Sequence, residues 1–138
     1  MTQQTDEWED VDVPAGTYIG WSDRPGQVVT GTVLDYGDQT GQDFGGKPCP
    51  EVEIELTTPT YSVNKEGERF DHAEGDVVKV TAGLANLKKA VRAAKLAVGD
   101  LVWIQFTSTE KVPKGTVKIF TVRVRRGAGT VAEDEPPF

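Results

Sequence analysis

The sequence predicts a small, mostly β domain with a single helix, and three observations lead to this prediction. Several stretches rich in β-branched and aromatic residues are separated by turns rich in glycine and proline. Only one stretch repeats its apolar residues with the period of a helix. The chain has 138 residues, of which 37% are hydrophobic, so it allows one domain and short flanking segments. We expect a disordered acidic arm over residues 1–15, one domain over 16–127 and a flexible acidic tail over 128–138.

The first two predicted strands lie on either side of a long loop. Residues 27–36 are rich in β-branched side chains and form the first predicted strand. Residues 51–58 alternate between apolar side chains and glutamates, as expected of an antiparallel strand with one buried face. The glycine- and proline-rich segment 37–50 between them is predicted to be a loop.

The third predicted strand is broken into short pieces, over residues 61–63, 68–72 and 77–81. The pattern then changes period, because Leu84, Leu87, Val91 and Ala94 form one apolar stripe at helical spacing. This segment is the only predicted helix.

Two further strands follow the helix, over residues 101–107 and 116–126, with a basic loop over 108–115 between them. Phe106 and Phe120 alternate with aliphatic residues on the apolar faces, so they are predicted to belong to the core. Five strands with one helix between the third and fourth are the element order of the OB-fold, a small five-stranded barrel. The alternative is an open α+β sandwich.

The charge of the chain is unevenly distributed. Its net charge is −7 at pH 7, but residues 1–12 and 133–138 contain eight acidic and no basic side chains. Residues 13–78 contain twelve acidic and four basic side chains, whereas residues 79–126 contain two acidic and eleven basic ones. This division indicates either an ordinary solvated surface or a basic face for a polyanion, with acidic ends that compete for it.

The residues usually responsible for catalysis are sparse. The single cysteine, Cys49, excludes an internal disulfide and a cysteine-rich zinc site, and it has no histidine suited to act as its base. The group Asp71, His72 and Glu74 is interpreted as a polar turn rather than a metal or acid–base site. Gly41 to Gly46 is glycine-rich but does not lead into a helix, as a phosphate-binding loop would. We expect neither enzymatic activity nor a metal or cofactor.

A binding surface has more support. An OB-fold binds single strands across strands 2 and 3 and with the loops joining strands 1–2 and 4–5. Such binding needs cations for the phosphates and aromatic rings for the bases. Glu53 and Glu55, however, argue against a phosphate track along the outer face of the second strand. The candidate DNA-binding residues are Tyr36, Phe44, Lys47, Tyr61, Phe70, Lys79, Trp103, Lys111, Lys114, Lys118, Arg123 and Arg125.

The C-terminal residues are the most specific feature of the sequence. They combine three carboxylates, two prolines and a final aromatic ring, which suits a small apolar pocket rimmed by lysine or arginine. The candidate partner-binding residues are Glu133, Asp134, Glu135, Pro136, Pro137 and Phe138. This segment resembles the acidic C-terminal tip of bacterial single-stranded DNA-binding proteins. The turn at Val98-Gly99-Asp100, the basic loop and the strand 118–126 look like compact phage-encoded members.

The resemblance implies a non-enzymatic OB-fold protein that coats single-stranded DNA and recruits replication, recombination and repair proteins through its tip. The short connection from Gly127 to Ala132 favours a phage version, which would act in the cytoplasm of the bacterial host. Neither a signal peptide nor a membrane span is apparent, so the expected location is cytoplasmic. The alternatives are an OB-like adaptor or virion component that binds only protein and, less favoured, a small nuclease or phosphotransfer accessory enzyme. Whether copies of the chain associate is left open.

Overall fold

The computed structural model of the chain describes residues 17–43 and 45–128. Most of this part is β-structure, and its one helix follows the sixth strand, which confirms the predicted class. The elements are β1 (Thr17–Tyr18), β2 (Val28–Gln42), β3 (Pro48–Leu56), β4 (Thr60–Val63), β5 (Arg69–His72), β6 (Val77–Thr81), α1 (Ala85–Ala94), β7 (Leu101–Val112) and β8 (Gly115–Arg125).

Six strands form one open, mixed sheet in the order β1-β6-β3-β2-β7-β8. The two-residue β1 runs parallel to β6, and every other pair in this sheet is antiparallel. Strands β4 and β5 form a separate hairpin. A closed barrel of five strands is not formed by the hydrogen-bonded strands of residues 17–43 and 45–128.

The core lies on the inner side of the large sheet, and α1 covers part of it. Alternate residues of the central strands, such as Val29, Ile54 and Ile104, are fully buried. From the helix, Leu87 and Val91 are also fully buried, so the predicted apolar stripe faces the core. Burying an aliphatic side chain of this size contributes about 1.5–3 kcal/mol to stability. Phe106 and Phe120 join this cluster, with ring centroids 5.5 Å apart, as the sequence predicts.

The predicted loop over residues 37–50 is wrong in its extent. Strand β2 continues to Gln42 and β3 begins at Pro48, so only a short turn joins the two strands. The register shifts between Gly37 and Gly41, which lets the long strands stay paired across an irregular stretch. A Cβ atom at Gly41 would lie 2.9 Å from Thr81 Cγ2 of β6 and 3.3 Å from Glu51 Cβ of β3, so a larger residue there would displace these side chains.

The predicted loop over residues 108–115 is also wrong. Strands β7 and β8 continue as a paired ribbon to Val112 and Gly115, and only Pro113 and Lys114 form the turn. Most residues of this ribbon are exposed. The sequence did not predict this continuation because the side chains of the ribbon are mostly polar. Backbone hydrogen bonds pair the two strands there, and such pairing needs no alternation of apolar residues. We call residues 107–119 the β7–β8 arm.

Residues 17–21 bridge two strands that are far apart in the sheet. Thr17 and Tyr18 pair with β6, and the Ile19 N–H donates to the Lys79 carbonyl over 2.9 Å. Three residues after Tyr18, the Trp21 ring packs edge-on against Phe120 of β8, with centroids 4.9 Å apart. The open side of the sheet, between β6 and β8, is therefore occupied by this segment.

The predicted arm over residues 1–15 and the tail beyond Ala128 lie outside the described residues.

Candidate nucleic-acid interface

The outer side of the sheet carries an aromatic ring next to a guanidinium group. Trp103 of β7 lies between Thr30 of β2 and Arg123 of β8 in the register of the sheet. Its neighbours Val102 and Ile104 are fully buried, so alternation places the indole on the outer side. The Arg123 guanidinium carbon lies 4.7 Å from the centroid of the Trp103 ring. This distance is within the range of a cation–π contact.

A second arginine extends this basic surface along β8. Arg125 is two residues beyond Arg123, lies on the same side of the strand and is opposite Leu101. Both arginines are exposed. We call Trp103, Arg123 and Arg125 the Trp103 surface. It combines an aromatic platform with two cations, which is what a stacked base and its neighbouring phosphates require.

The outer side of the neighbouring strands is acidic. Glu51, Glu53 and Glu55 alternate with the buried residues of β3, and Asp35 of β2 lies opposite Glu53. The candidate residue Lys79 also lies opposite Glu53, on β6, so it is next to this row of carboxylates. These four acidic residues form the β3 acidic strip. They would repel phosphates, as expected from the sequence, so a nucleic-acid path is favoured only on the β7–β8 side.

The lysines of the β7–β8 arm lie on a different side from the two arginines. Lys118 Nζ is 5.7 Å from the centroid of the core residue Phe106 and 3.7 Å from Asp23 Oδ1. Alternation along the arm places Lys111 on the same side as Lys118. The cations that the sequence predicts on the last strand are therefore divided between two faces. Lys114 is exposed in the turn at the end of the arm.

The β4–β5 hairpin holds two more candidate aromatic residues. The Arg69 guanidinium carbon lies 4.0 Å from the centroid of the Tyr61 ring, and Arg69 Nε is 2.9 Å from Asp71 Oδ1. Phe70 is half-exposed, but the register puts it on the opposite side of the hairpin, across from Ser62. The two rings therefore cannot form one continuous stacking surface.

Polar contacts attach this hairpin to the rest of the molecule. The buried Ser62 hydroxyl accepts a hydrogen bond from the Gly20 N–H, and the buried Gln27 amide donates to the Tyr61 carbonyl. These long-range contacts fix the position of Tyr61 relative to the sheet.

The remaining sequence candidates lie elsewhere. Tyr36 is half-buried against the core, and its hydroxyl donates to Asp38 Oδ1 over 3.1 Å. Burial raises the pKa of Tyr36, and the hydrogen bond and negative charge of Asp38 raise it further. Lys47 is exposed in the β2–β3 turn, away from the Trp103 surface in the register. Phe44 lies outside the described residues.

The β2–β3 turn is organised by Asp43. Its carboxylate accepts the backbone N–H groups of Lys47 and Gly45, and Lys88 Nζ lies 3.6 Å away. The hydrogen bond from Lys47, together with the one from Gly45 and the charge of Lys88, lowers the pKa of Asp43 against the opposing effect of desolvation.

A cleft that the sequence did not predict lies beside residues 17–21. It has a volume of about 670 Å³, and its lining includes Tyr18, Trp21, Gln42, Lys65, Leu84 and Lys118. Sequence reasoning missed it because these residues come from five separate elements and turns. The only local signal was the pair of aromatic residues at 18 and 21, in a segment without periodicity.

The described residues contain no group of three or more His, Cys, Asp or Glu side chains placed to hold a metal ion. Cys49 is fully buried, and desolvation is the main cause that raises the pKa of its thiol. Across the same part of the chain, the helix is too short and polar to span a membrane.

Comparisons with protein-family models, with curated proteins and with solved structures found no match to this chain.

Proposed function

We propose that this protein binds single-stranded DNA without strong sequence preference and coats it during replication, recombination and repair. The observation that carries the proposal is the Trp103 surface, where the Arg123 guanidinium lies against the indole on the outer side of the sheet. Bases of any sequence have an aromatic face, so stacking on Trp103 gives affinity without sequence reading. Arg123 and Arg125 neutralise the adjacent phosphates.

The arrangement of the strands supports an OB-type architecture. Five adjacent strands of the large sheet lie in the order β6-β3-β2-β7-β8. If they are numbered one to five along the chain, this order is third, second, first, fourth and fifth. The OB-fold is a partly open five-stranded barrel of this kind, with its helix after the third strand. We propose that residues 17–21 take the place of direct pairing between β6 and β8, which would complete the barrel.

In this proposal the bound strand runs along β7 and β8, beginning on the outer side that carries the two arginines. The β3 acidic strip excludes phosphates from the face that OB-folds ordinarily use. Phosphates are instead held by Arg123 and Arg125 and by the arm lysines Lys111 and Lys114. Tyr61, which has Arg69 against one face of its ring, is a second stacking platform through its other face in this proposal.

The last six residues recruit partner proteins in the same proposal. Phe138 enters an apolar pocket of a replication or repair protein, and the acids Glu133, Asp134 and Glu135 meet basic residues at the rim of that pocket. The prolines reduce the freedom that the segment loses on docking.

A titration of purified protein with fluorescent oligo-dT at several salt concentrations tests the DNA-binding proposal. We expect roughly 3 to 5 phosphate contacts, so log K should fall with log salt with a slope of about −2 to −3.5. Duplex DNA of the same length should bind much more weakly, because its paired bases cannot stack on side chains. Equal affinity for the two forms, or affinity independent of salt, would contradict the proposal.

The second candidate function is a protein-binding adaptor. The exposed Val112 and Val117 favour it, because they lie on one side of the arm and no described element covers them. An adaptor of this kind would bind no oligo-dT in the same titration, and that result would select it.

A further inference from the structure

The cleft beside residues 17–21 has walls suited to a flat aromatic ligand. Tyr18 lines the cleft and is 55% exposed. Trp21 is held by its edge-on contact with Phe120, and its indole Nε1 is buried without a hydrogen-bond partner among the described residues. The indole therefore contributes an apolar wall to the cleft rather than a hydrogen-bond donor, because its Nε1 is not accessible. The volume of about 670 Å³ is in the usual range for a small-molecule site.

The charges at the cleft favour a ligand that carries a phosphate. Lys65 and Lys118 line it, and Lys79 Nζ lies 5.7 Å from the centroid of the Tyr18 ring. Two carboxylates also line the cleft, and the charge of one of them is balanced by a lysine. Asp43 accepts two backbone N–H groups and pairs with Lys88, whereas Glu51 accepts the Thr81 hydroxyl. Among the salt bridges of the described residues, none involves Lys65.

The position of the cleft relates it to the Trp103 surface. Lys118 lines the cleft, and Lys111 follows it outward along the same side of the β7–β8 arm. The other side of the arm continues through Thr121 to Arg123, which belongs to the Trp103 surface. A strand that passes around the arm would therefore move from one aromatic site to the other with cations along its way.

We propose that the cleft is a second subsite for the same DNA strand and holds one nucleotide, with its base against Tyr18 and its phosphate near Lys65 and Lys118. This inference rests on the proposed function and adds a site that includes neither Trp103 nor the arginines. It requires the bound strand to pass around the β7–β8 arm rather than along one face of the sheet.

Two oligonucleotides separate this subsite from the Trp103 surface. A dT4 oligomer is long enough to occupy the Trp103 surface but too short to pass around the arm, whereas dT15 reaches both sites. The double variant Tyr18→Ala, Lys65→Ala should weaken dT15 binding by about 5- to 150-fold, as expected for one lost stacked base. Its salt slope should become shallower by about 0.7, and dT4 binding should not change. Lys89→Ala, which removes an exposed lysine of α1 outside the cleft, is the matched control and should change neither.

A second variant tests the subsite in case the double variant does not fold. Gln42 is exposed and lines the cleft, so Gln42→Trp should fill the cleft without removing a core contact. This variant should weaken the binding of dT15 but not of dT4. It tests the second subsite by itself if the double variant does not fold. Unchanged dT15 binding, or an equal loss for both oligonucleotides, would overturn the second subsite. Failure of the unmodified protein to bind either oligonucleotide would instead overturn the proposed function.

Discussion

At the scale of single residues, the tertiary environment separates aromatic residues that look alike in the sequence. Trp103 and Tyr36 both lie in strands and both were expected to stack on bases. Trp103 lies on the outer side of the sheet with Arg123 against it, whereas Tyr36 packs on the core with its hydroxyl bonded to Asp38. We therefore expect only Trp103 of this pair to contact DNA.

Replacing these two residues tests that distinction. Trp103→Ala should weaken oligo-dT binding by about 1–3 kcal/mol, the usual effect of losing one stacked base, and should leave the melting temperature almost unchanged. Tyr36→Phe, which keeps the packed ring and removes the hydroxyl, should leave the affinity unchanged. The measurements are fluorescence anisotropy and thermal melting. A Trp103→Ala protein that melts early yet binds normally would show that the indole serves the fold.

Asp100 is a second residue whose role depends on its surroundings. Its buried carboxylate accepts hydrogen bonds from the Gly127 N–H, from Arg126 and from the Ala97 N–H. Arg126 also donates to the carbonyls of Ala94 and Lys95 at the end of α1. These contacts join the start of β7, the end of β8 and the helix. Desolvation alone would raise the pKa of Asp100, but the hydrogen bonds and the charge of Arg126 together lower it.

The lowered pKa of Asp100 predicts how the stability of the protein changes with pH. A carboxylate with a lowered folded-state pKa stabilises the protein above its unfolded pKa of about 3.9, and this contribution is lost as pH falls through the folded value. Asp100→Asn should therefore lower the free energy of unfolding at pH 7 by roughly 1.5–3 kcal/mol. The difference between the two proteins should shrink below about pH 4. Urea unfolding at several pH values measures it, and a constant difference down to pH 2 would contradict this role.

At the scale of elements, the β7–β8 arm is the part whose form differs most from the sequence prediction. A paired ribbon holds its lysines at fixed positions, whereas the predicted loop would have let them adapt to the DNA. The register places Lys111 opposite Thr116, and Lys114 lies in the turn. Both lysines are exposed, so neither supports the core.

Removing the two arm lysines should therefore affect binding alone. For the double variant Lys111→Ala, Lys114→Ala we expect weaker oligo-dT binding and a salt slope shallower by about 1.4, which is 0.7 for each lost phosphate contact. The melting temperature should not change. Lys89→Ala on α1 is again the control. A slope equal to that of the unmodified protein would place the DNA path away from the arm.

At the scale of the whole molecule, acidic and basic side chains lie on different parts of the chain. The β3 acidic strip and the basic Trp103 surface lie on the same sheet, and the most acidic segments are at the two ends of the sequence. Acidic segments compete with phosphates for the same cations. If the protein binds DNA as proposed, we therefore expect its affinity to depend on the ends of the chain as well as on the folded domain.

Deletion of Glu133–Phe138 tests this dependence. The truncated protein should bind oligo-dT somewhat more tightly at low salt and equally at high salt, because three carboxylates no longer compete and salt screens their effect. Its melting temperature should be nearly unchanged, and it should no longer recruit a replication or repair protein. Phe138→Ala should lose the partner without changing DNA affinity, which separates the ring from the charges. Equal partner binding by the truncated and full-length proteins would exclude this role.

The sequence by itself determined which side chains of the second, fourth and fifth predicted strands face the core. Alternation identified Val102, Ile104 and Phe106 as one face, and helical spacing identified Leu87 and Val91 as another. Both patterns are local, because the direction of a side chain follows the period of its own strand or helix. Local patterns also located the basic half of the chain and the glutamates of β3.

Only the tertiary structure decided where strands end and which charged residues share a face. Strands β2 and β7 continue past their apolar residues because backbone hydrogen bonds to a partner strand sustain them, and such pairing leaves no pattern in the side chains. The cleft depends on Tyr18 lying beside β6, some sixty residues away in the chain. Contacts between distant segments are set by the register of the sheet and by packing, so no local period of the sequence could predict them.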